Sequence, residues 1–428
     1  MRVCVAGLWH LGVVTAACVA AAGHRVVAFD DDARVVESIA AGDLPVDEPG
    51  LADLVLRGLE SGSLELTAER ERAVRNADVV WIAYDTPVDE EDRADVDLVF
   101  GRITALVAAA DPDALVLVSS QLPVGTTALL ERASPARTFA YSPENLRLGA
   151  AIAAFERPDR IVVGVRPDAD RGRLDELLGG FSDRIEWMDV ESAELVKHGI
   201  NAFLAVSIVF ANELATVAER VGANAAEVER GLKSEARIGP RAYLRPGAAF
   251  AGGTLARDVD FLTQIGERED VATPLLRAVR TSNDEHRHWA RRTVEALVDG
   301  SEGLAGHVIG VWGLVYKEGT DTLRRSSAVE LCRELVEAGA IVKAHDAAVR
   351  TVPHELAGIL SLCPTPLDAA ADASAVVVET GWPEYRAIES ARLVDVMRTP
   401  LVVDANGFLL ETLGEAAGVR YVRVGSRT

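Results

Sequence analysis

The sequence predicts an α/β protein with two doubly wound parallel-sheet domains, joined by a long central helix and a helical middle region. Three observations support this prediction. A strand, a glycine turn, a helix, a second strand and an acid open the chain, and the same order recurs at His307. Between them, residues 191–220 form one long run with apolar residues at helical spacing, and Gly199 is the only glycine in it. Strands that alternate with helices imply a parallel sheet covered on both faces.

The first pattern is typical of a dinucleotide-binding unit. Arg2 to Ala6 is a short apolar strand, and Gly7 to Gly12 is the turn into an alanine-rich helix that ends near Gly23. The next strand, His24 to Phe29, ends in Asp30. An acid about 20 residues beyond the turn is placed to accept a hydrogen bond from a ribose hydroxyl, and it would repel a 2′-phosphate. This pattern favours NAD over NADP.

Trp9 departs from this pattern. It occupies the position of the middle glycine, where a missing side chain lets the backbone approach the pyrophosphate. Docking of the pyrophosphate on the helix amino terminus, at His10 and Leu11, remains compatible with the sequence. The alternative is a dinucleotide fold whose cofactor site has been lost or reshaped.

The rest of the amino-terminal half continues the alternation of strands and helices. Strands are predicted at Val79 to Ala83, Leu115 to Val118 and Arg160 to Val163. The acidic tract Asp89 to Asp97 is interpreted as a solvated loop rather than a metal site. From Glu191 the apolar residues cover more than one helical face, which is typical of a helix buried between domains or in a dimer interface. Helices are predicted to continue to about Ala296.

The second pattern begins with a strand at Val308 to Trp312 and a turn at Gly313. A helix from Ser327 to Ala338 and a strand from Ile341 to Ala344 lead to Asp346. Further strands near Ala375 to Glu379 and Leu401 to Asp404 complete a second α/β domain.

The net charge of the chain indicates which kinds of partner it can bind, and its cysteines indicate the cell compartment. The chain of 428 residues has 66 acids and 44 bases, a net charge of −22, which argues against nucleic acid or an anionic membrane as a partner. No apolar run reaches the roughly 18 residues of a membrane span, and the chain opens on a strand rather than a signal peptide. We therefore expect a soluble cytoplasmic protein with reduced, buried thiols and no metal site. Its cysteines are Cys4, Cys18, Cys332 and Cys363.

Short motifs along nearly the whole chain resemble the UDP-glucose/GDP-mannose dehydrogenase family. They are LPVDEPG at 44–50, YSPENLR at 141–147, RPDRI at 157–161, AELVKHGIN at 193–201, NE at 212–213, RIGP at 237–240, FAGGTLARD at 250–258, GLVYK at 313–317 with Thr320, Asp321 and Arg324, and WPEY at 382–385. The resemblance implies two Rossmann-like domains and oxidation of the C6 alcohol of a nucleotide-linked hexose by two NAD. In the family a cysteine traps the intermediate aldehyde, and water hydrolyses the resulting thioester.

The resemblance implies three domains. Residues 1–190 would be the NAD-binding Rossmann domain, and residues 191–300 a central helical dimerisation domain that carries the catalytic motifs. Residues 301–428 would be the Rossmann-like domain that binds the nucleotide sugar. A homodimer is expected through the central helix.

The resemblance also assigns roles to residues. The catalytic set is Lys197, Asn201, Asp258, Thr254, Glu144 and Gln121. The cofactor set is Gly7, Trp9, His10, Leu11, Gly12, Asp30, Arg34, Thr86 and Gln121. The substrate set is Glu144, Leu146, Arg147, Lys197, Asn201, Arg237, Phe250, Gly252, Lys317 and Arg324.

The main departure from the family is at Thr254. Counting back four residues from Asp258 places this threonine where the family has its cysteine. A thiol of pKa about 8.5 is partly ionised at neutral pH, whereas a threonine hydroxyl needs a dedicated base. Gln121 and Leu148 replace a threonine and a glutamate near the hydrolytic water of the family.

Two more departures affect ligand choice. Asp85 replaces a glycine beside the cofactor, and the segment from Asp404 to Gly407 lacks the arginine of the family pattern.

Three functions agree with these residues. The favoured one is an NAD-dependent oxidoreductase that acts on the primary alcohol of a sugar nucleotide or related nucleotide by two-electron or redox-neutral chemistry. Such chemistry includes epimerisation or dehydration through transient oxidation, for which Lys197 and NAD suffice and no thiol is needed. The first alternative is a UDP-glucose 6-dehydrogenase that forms the uronic acid despite Thr254. The second is a catalytically silent protein that binds nucleotide sugars.

Overall fold

A computed structural model of the chain describes residues 1–426 except 47, 88–93, 145, 147–148, 168, 170, 252, 299–302 and 324–325. The chain divides into two compact units, Met1–Ile200 and Asn201–Thr428. Each unit is built around one sheet.

The described residues of the first unit form eight strands and eight complete helices, and the ninth helix begins in this unit. Its elements are β1 (Arg2–Ala6), α1 (His10–Ala21), β2 (Arg25–Phe29), α2 (Ala33–Ala40), α3 (Leu51–Ser61), β3 (Leu64–Thr67), α4 (Arg70–Val74), β4 (Val79–Ile82), α5 (Val96–Ala109), β5 (Leu115–Val118), α6 (Thr126–Ala133), β6 (Thr138–Tyr141), α7 (Ala151–Glu156), β7 (Ile161–Gly164), α8 (Gly172–Leu178) and β8 (Ile185–Met188).

The sheet of the first unit has the strand order β3-β2-β1-β4-β5-β6-β7-β8. Its strands pair in parallel except at the junction of β6 with β7, where Tyr141 and Gly164 face each other in an antiparallel bridge. The predicted parallel sheet is therefore confirmed except at this junction. The central strands β4 and β5, and β1 after Arg2, are apolar and buried on both faces, as parallel strands between two helical layers must be.

The second unit follows the same plan around a smaller sheet. Its elements are α10 (Ala225–Ser234), α11 (Thr254–Arg268), α12 (Pro274–Arg287), α13 (Trp289–Leu297), β9 (Val308–Trp312), α14 (Ser327–Glu337), β10 (Ile341–His345), a 3₁₀ helix (His354–Leu356), β11 (Leu360–Leu362), α15 (Pro366–Ala370), β12 (Ala375–Val378), a 3₁₀ helix (Pro383–Ala387), α16 (Ser390–Val396), β13 (Leu401–Val403), α17 (Leu410–Leu413) and β14 (Arg420–Val422).

The sheet of the second unit is parallel, with the order β11-β10-β9-β12-β13-β14. The chain reverses its direction of winding between β9 and β12. In sheets of this kind, the carboxyl ends of the strands beside such a reversal form the usual ligand crevice. The predicted fold class is confirmed in both units.

Helix α9 (Val190–Val221) has 32 residues and runs across the boundary between the two units. Its length agrees with the prediction from Glu191 to Arg220. Among the described helices of 18 residues or more, it alone is long and apolar enough to cross a membrane, a property that core helices of soluble proteins share. Polar residues such as Glu194, His198 and Asn212 are nevertheless buried on it.

The helical middle is less continuous than predicted. Among the described residues between α10 and α11, which are 235–251 and 253, there is no helix. This stretch contains Gly239, Pro240, Pro246 and Gly247, and glycine and proline both disfavour the helix interior.

Candidate functional site

The glycine turn of the first unit is tightly packed. Gly7 has φ +92°, and a Cβ there would lie 2.6 Å from Tyr84 Cα. A Cβ on Gly12 would lie 1.6 Å from the carbonyl oxygen of Gly7. Both positions therefore require glycine, because any side chain would push α1 away from β1 and β4.

Asp30 lies where a ribose would be recognised. Its carboxylate accepts hydrogen bonds from Leu8 N at 2.8 Å and Asp32 N at 3.0 Å. A carboxylate has about four acceptor positions, so Asp30 keeps capacity for the hydroxyl groups of a ribose. The residues of this turn therefore fit a dinucleotide.

Trp9 does not block the turn through its backbone. It has φ −84°, a conformation open to any residue, and its side chain is 53% exposed. His10 begins α1, and its Nε2 lies 3.9 Å from Glu48 Oε2. The amino terminus of α1 is thus formed by Trp9, His10 and Leu11, as predicted from the pattern.

Arg34, which the resemblance assigns to the cofactor set, forms an ion pair with Asp32 in this structure. Its Nε and Nη2 donate to Asp32 at 3.0 and 2.7 Å, and these hydrogen bonds hold the pKa of Asp32 down at about 2. By contrast, Thr86 and Gln121 lie together, since Thr86 Oγ1 donates to the carbonyl oxygen of Gln121 at 2.7 Å.

Lys197 is buried on α9 and contacts Glu144. Its Nζ donates to the carbonyl oxygen of Glu144 at 2.6 Å and lies 3.8 Å from Glu144 Oε2. Glu144 Oε1 accepts from Leu146 N at 2.9 Å, which fixes the carboxylate against its own loop. This pair can deliver or receive a proton close to the lysine.

Two further residues of α9 hold the helix, and with it Lys197, against residues 122–127. Glu194 is buried and accepts from Gly125 N at 2.6 Å, and from Thr127 N at 3.0 Å and Oγ1 at 2.6 Å. His198 Nε2 donates to the carbonyl oxygen of Leu122 at 3.0 Å. Sequence reasoning missed both residues, although polar side chains beside Lys197 on an otherwise apolar helix were a usable signal.

Asn201 lies one turn after Lys197 on α9 and contacts Asp258. Its Nδ2 donates to Asp258 Oδ2, and Asp258 is fully buried. A carboxylate that accepts this hydrogen bond fixes the amide orientation, so the Oδ1 atom of Asn201 points away from Asp258. The structure thus brings together two residues that are 57 positions apart in the chain.

Thr254 is the first residue of α11 and is exposed. Gly253 before it has φ +100°, which favours glycine at that position. Phe250, four residues earlier in the sequence, is buried. Its backbone N and O atoms both form hydrogen bonds with the side chain of Asn283. The threonine hydroxyl therefore lies at the amino terminus of a 15-residue helix.

Asp346 has the position of Asp30 in the second unit but a different environment. Its Oδ2 accepts from Leu314 N at 2.6 Å, Val315 N at 3.1 Å and Trp382 Nε1 at 3.2 Å. Its Oδ1 accepts two more hydrogen bonds, from residues 348 and 349. Because five donors saturate this carboxylate, it has no capacity for a ribose, and the second unit is not a second dinucleotide site of the same kind.

The other predicted substrate residues are dispersed or undescribed. Arg237 is exposed and pairs with Glu235 at 2.9 Å, and Lys317 is exposed in the loop after β9. Arg147, Leu148, Gly252, Arg324 and residues 88–93 of the acidic region lie outside the described residues. Within the described part of the chain, no three His, Cys, Asp or Glu side chains form a group that could hold a metal ion.

No cysteine lies near Thr254 in the sequence. All four cysteines are free, and Cys4, Cys18 and Cys332 are buried in hydrophobic cores. Burial raises the pKa of Cys4 and of Cys18 to about 12. Cys363 is partly buried, so the prediction of four buried thiols is wrong at this position, and it follows β11 at the edge of its sheet.

The fold and the glycine turn define a dinucleotide-binding α/β protein with a second Rossmann-like sheet. Three family models match successive parts of the chain: the UDP-glucose/GDP-mannose dehydrogenase family NAD binding domain at residues 1–181, central domain at 191–285 and UDP binding domain at 310–411. The chain therefore belongs to the UDP-glucose/GDP-mannose dehydrogenase family, which confirms the resemblance seen in its motifs. It is an oxidoreductase of the nucleotide sugar dehydrogenase family, and its cofactor is NAD.

Known proteins of this family are similar over their full length. The chain is 34% identical over 439 residues to a UDP-glucose 6-dehydrogenase of Rhizobium meliloti (strain 1021), covering 99% of each. It is 32% identical over 444 residues to a UDP-glucose 6-dehydrogenase of Pseudomonas aeruginosa, covering 99% of this chain and 97% of the relative. The solved structure of a UDP-glucose dehydrogenase from Pyrobaculum islandicum is 31% identical with a TM-score of 0.86, covering 99% of this chain and 98% of that one.

Proposed function

We propose that this protein is an NAD-dependent oxidoreductase that acts on the primary alcohol of a sugar nucleotide and whose chemistry stops at, or passes through, the two-electron stage. The observation that supports it most directly is Thr254 at the start of α11, where the family motif places a cysteine. Without a thiolate, the aldehyde from the first oxidation has no nucleophile to trap it as a thiohemiacetal. The second oxidation then has no route through a thioester.

The first oxidation needs only residues that are present. Bound NAD supplies the hydride acceptor in this chemistry. Lys197 takes the proton of the alcohol, directly or through an ordered water, or stabilises the alkoxide as its charge develops. Asn201 Nδ2 keeps a second N–H besides the one that it donates to Asp258, and this N–H donates to the same oxygen. The C–H electron pair leaves as hydride, so the alcohol becomes an aldehyde and one NAD becomes NADH.

The aldehyde has two fates in this proposal. It is released after one hydride transfer, or it acidifies the neighbouring C–H bond so that elimination or epimerisation follows. In the second case the returned hydride regenerates NAD, and no NADH accumulates. We assign the exchange of that proton to Glu144, and its contact with Lys197 supports this assignment.

The remaining residue assignments belong to the same proposal. Gly7, Gly12, Asp30, Thr86 and Gln121 hold NAD, with the pyrophosphate at the amino terminus of α1. The substrate contacts are Glu144, Leu146, Arg147, Lys197, Asn201, Arg237, Phe250, Gly252, Lys317 and Arg324. The three-domain division at residues 190 and 300 also remains a prediction.

The second candidate function is a UDP-glucose 6-dehydrogenase that forms the uronic acid. The names of the relatives from Rhizobium meliloti and Pseudomonas aeruginosa favour it. It would require the aldehyde hydrate, rather than a thioester, to give up the second hydride. A silent nucleotide-sugar-binding protein is disfavoured by the pairs of Lys197 with Glu144 and of Asn201 with Asp258, because a dead site has no use for them.

We also propose that the protein is a cytoplasmic homodimer formed through α9. Phe203, Phe210 and Val217 follow each other at seven-residue intervals on this helix and are 69%, 50% and 56% exposed. Large apolar side chains in one exposed stripe are typical of a helix that packs on a partner. The free cysteines agree with a reducing compartment.

The substitution Thr254→Cys tests the proposed chemistry. The wild-type protein should convert a nucleotide sugar without forming a carboxylate, and the cysteine variant should gain carboxylate formation with a second NADH. Thr254→Ser, which keeps a hydroxyl, is the matched control and should behave as the wild type. If the wild type already forms the carboxylate and Thr254→Cys changes only its rate, the second candidate function is correct.

A further inference from the structure

The segment Gly247–Phe250 precedes Thr254 and has an unusual set of partners. It belongs to no helix or strand, yet its peptide groups are bonded to side chains from three separate elements of the second unit. We call it the anchored segment. Peptide groups away from water must find partners, and here asparagine side chains do what a neighbouring strand would do in a sheet.

Asn283 on α12 makes the most complete of these contacts. Its Oδ1 accepts from Phe250 N at 2.9 Å, and its Nδ2 donates to Phe250 O at 2.8 Å. One amide side chain thus satisfies both polar groups of one residue. Asn283 is buried, so water cannot easily replace it.

Asn212 and Asn406 bond the other end of the anchored segment. Gly247 N donates to Asn212 Oδ1 at 2.9 Å, and Ala248 N donates to Asn406 Oδ1 at 2.9 Å. Asn212 lies on α9, whereas Asn406 lies in the loop after β13. His286 of α12 adds a fourth contact, because its Nε2 donates to Gly247 O at 2.8 Å.

Close packing around Asn406 also holds the anchored segment in place. A Cβ on Gly247 would lie 2.6 Å from Asn406 Oδ1, so the position of Asn406 requires glycine there. Arg245 Nη2 also donates to Asn406 O at 3.1 Å, which fixes the loop after β13 from its backbone side. The contacts form one connected set rather than isolated surface bonds.

We propose that Asn212, Asn283 and Asn406 are positioning residues that hold the anchored segment and so set the place of Thr254 and the amino terminus of α11. They act through the backbone and do not touch the substrate. The inference rests on the proposed function, because it gives Thr254 a place at the reacting group. It also gives Asn406 a role at the point where the family's neighbouring arginine is missing from the sequence.

Hydrogen–deuterium exchange and kinetics of two Asn406 variants test the proposal. Asn406→Ala removes the acceptor of Ala248 N, whereas Asn406→Asp keeps it. We expect exchange of the peptide that covers residues 245–251 to accelerate about tenfold in the alanine variant. The aspartate variant should remain near the wild type. Asn224→Ala, which removes only the cap of α10, is the control and should leave this peptide unchanged.

The kinetic measurement separates positioning from a general loss of stability. With the nucleotide sugar that the wild type converts, Asn406→Ala should lower kcat about tenfold and leave the NAD dissociation constant unchanged. Asn406→Asp should restore kcat. Unchanged exchange in Asn406→Ala would overturn the proposal whatever the substrate is, and so would accelerated exchange with unchanged kcat.

Failure of the proposed function gives a different result. The wild type would then convert no nucleotide sugar, or would form the carboxylate by itself. In the first case, calorimetric affinity for UDP-glucose replaces kcat as the readout, and a fall in affinity only in Asn406→Ala would support positioning. Equal affinity in the wild type and both variants would overturn it.

Discussion

Glu379 connects the fold of the second unit to a measurable pH dependence. It follows β12 at the carboxyl edge of the sheet, is partly buried, and its Oε2 accepts from Ser327 Oγ at 3.1 Å. Burial raises its pKa from 4.5 to about 7. The Ser327 hydrogen bond opposes this shift, and the charges of Asp404 and Glu334 add to it.

The sign of the stability effect follows from the direction of this shift. An acid with a higher pKa in the folded than in the unfolded chain binds its proton more tightly when folded. Its ionisation therefore lowers the free energy of unfolding as the pH rises from 4.5 to about 7. At about 1.4 kcal/mol per pKa unit the upper limit is about 3 kcal/mol. Because the side chain is partly exposed, about 1–2 kcal/mol is expected.

The substitution Glu379→Gln removes the ionisation and keeps an acceptor for Ser327. We expect this variant to melt about 2–8 °C above the wild type near pH 8 and within about 2 °C of it near pH 5. Glu415→Gln, which changes an exposed carboxylate of the same unit, is the control and should show no such trend. Differential scanning calorimetry of the three proteins measures this. A melting difference between Glu379→Gln and the wild type that stays constant across this pH range would refute the reasoning.

Three further predictions follow from the site and the helix. Asp30→Ala should weaken NAD binding about tenfold or more in calorimetry, through loss of a charged hydrogen bond. Asp346→Asn should leave NAD affinity unchanged, and an equal loss in both would contradict the assignment. Lys197→Met should lower kcat about 10²–10⁴-fold with unchanged NAD affinity, and a smaller loss would remove the lysine from proton transfer. Light scattering should show a dimer at micromolar concentration that Phe203→Glu with Phe210→Glu converts to a monomer, and a wild-type monomer would exclude the interface.

The long elements were predictable from the sequence because their periodicity extends over many residues. Helix α9 was predicted within one residue at each end, and β9 was predicted at its observed bounds, Val308–Trp312. The short strands β3, β6, β8, β11 and β14 were not predicted. Each of these strands contains a polar residue within its three or four residues, whereas short strands that were predicted, such as β4 and β5, are unbroken apolar runs.

The antiparallel junction of β6 with β7 could not be predicted from the sequence for a different reason. A single bridge between Tyr141 and Gly164 reverses the sheet, and no local pattern specifies the direction in which two strands meet. The sequence predicted the alternation of strands and helices but not this direction.

Residues of the candidate site could be predicted where they belong to a sequence motif. Contacts between residues that only the fold brings together could not be predicted. Lys197 and Asn201 were predicted from one motif, and their partners Glu144 and Asp258 came from two others. The contact of Glu194 with the amino terminus of α6 spans 67 residues and depends on the fold, so spacing alone could not predict it. The contacts of the asparagines that hold the anchored segment could not be predicted from spacing either, because each asparagine comes from a different element.

The most direct test of the account is mass spectrometry of the protein incubated with NAD and a panel of nucleotide sugars, with NADH absorbance followed in the same samples. The proposed redox-neutral chemistry predicts a product of unchanged mass, or one lighter by a water, with no NADH. The proposed two-electron chemistry predicts an aldehyde about two mass units lighter, with one NADH. A product about 14 mass units heavier, with two NADH per turnover, would contradict the account and establish Thr254 as a tolerated substitution in an ordinary dehydrogenase.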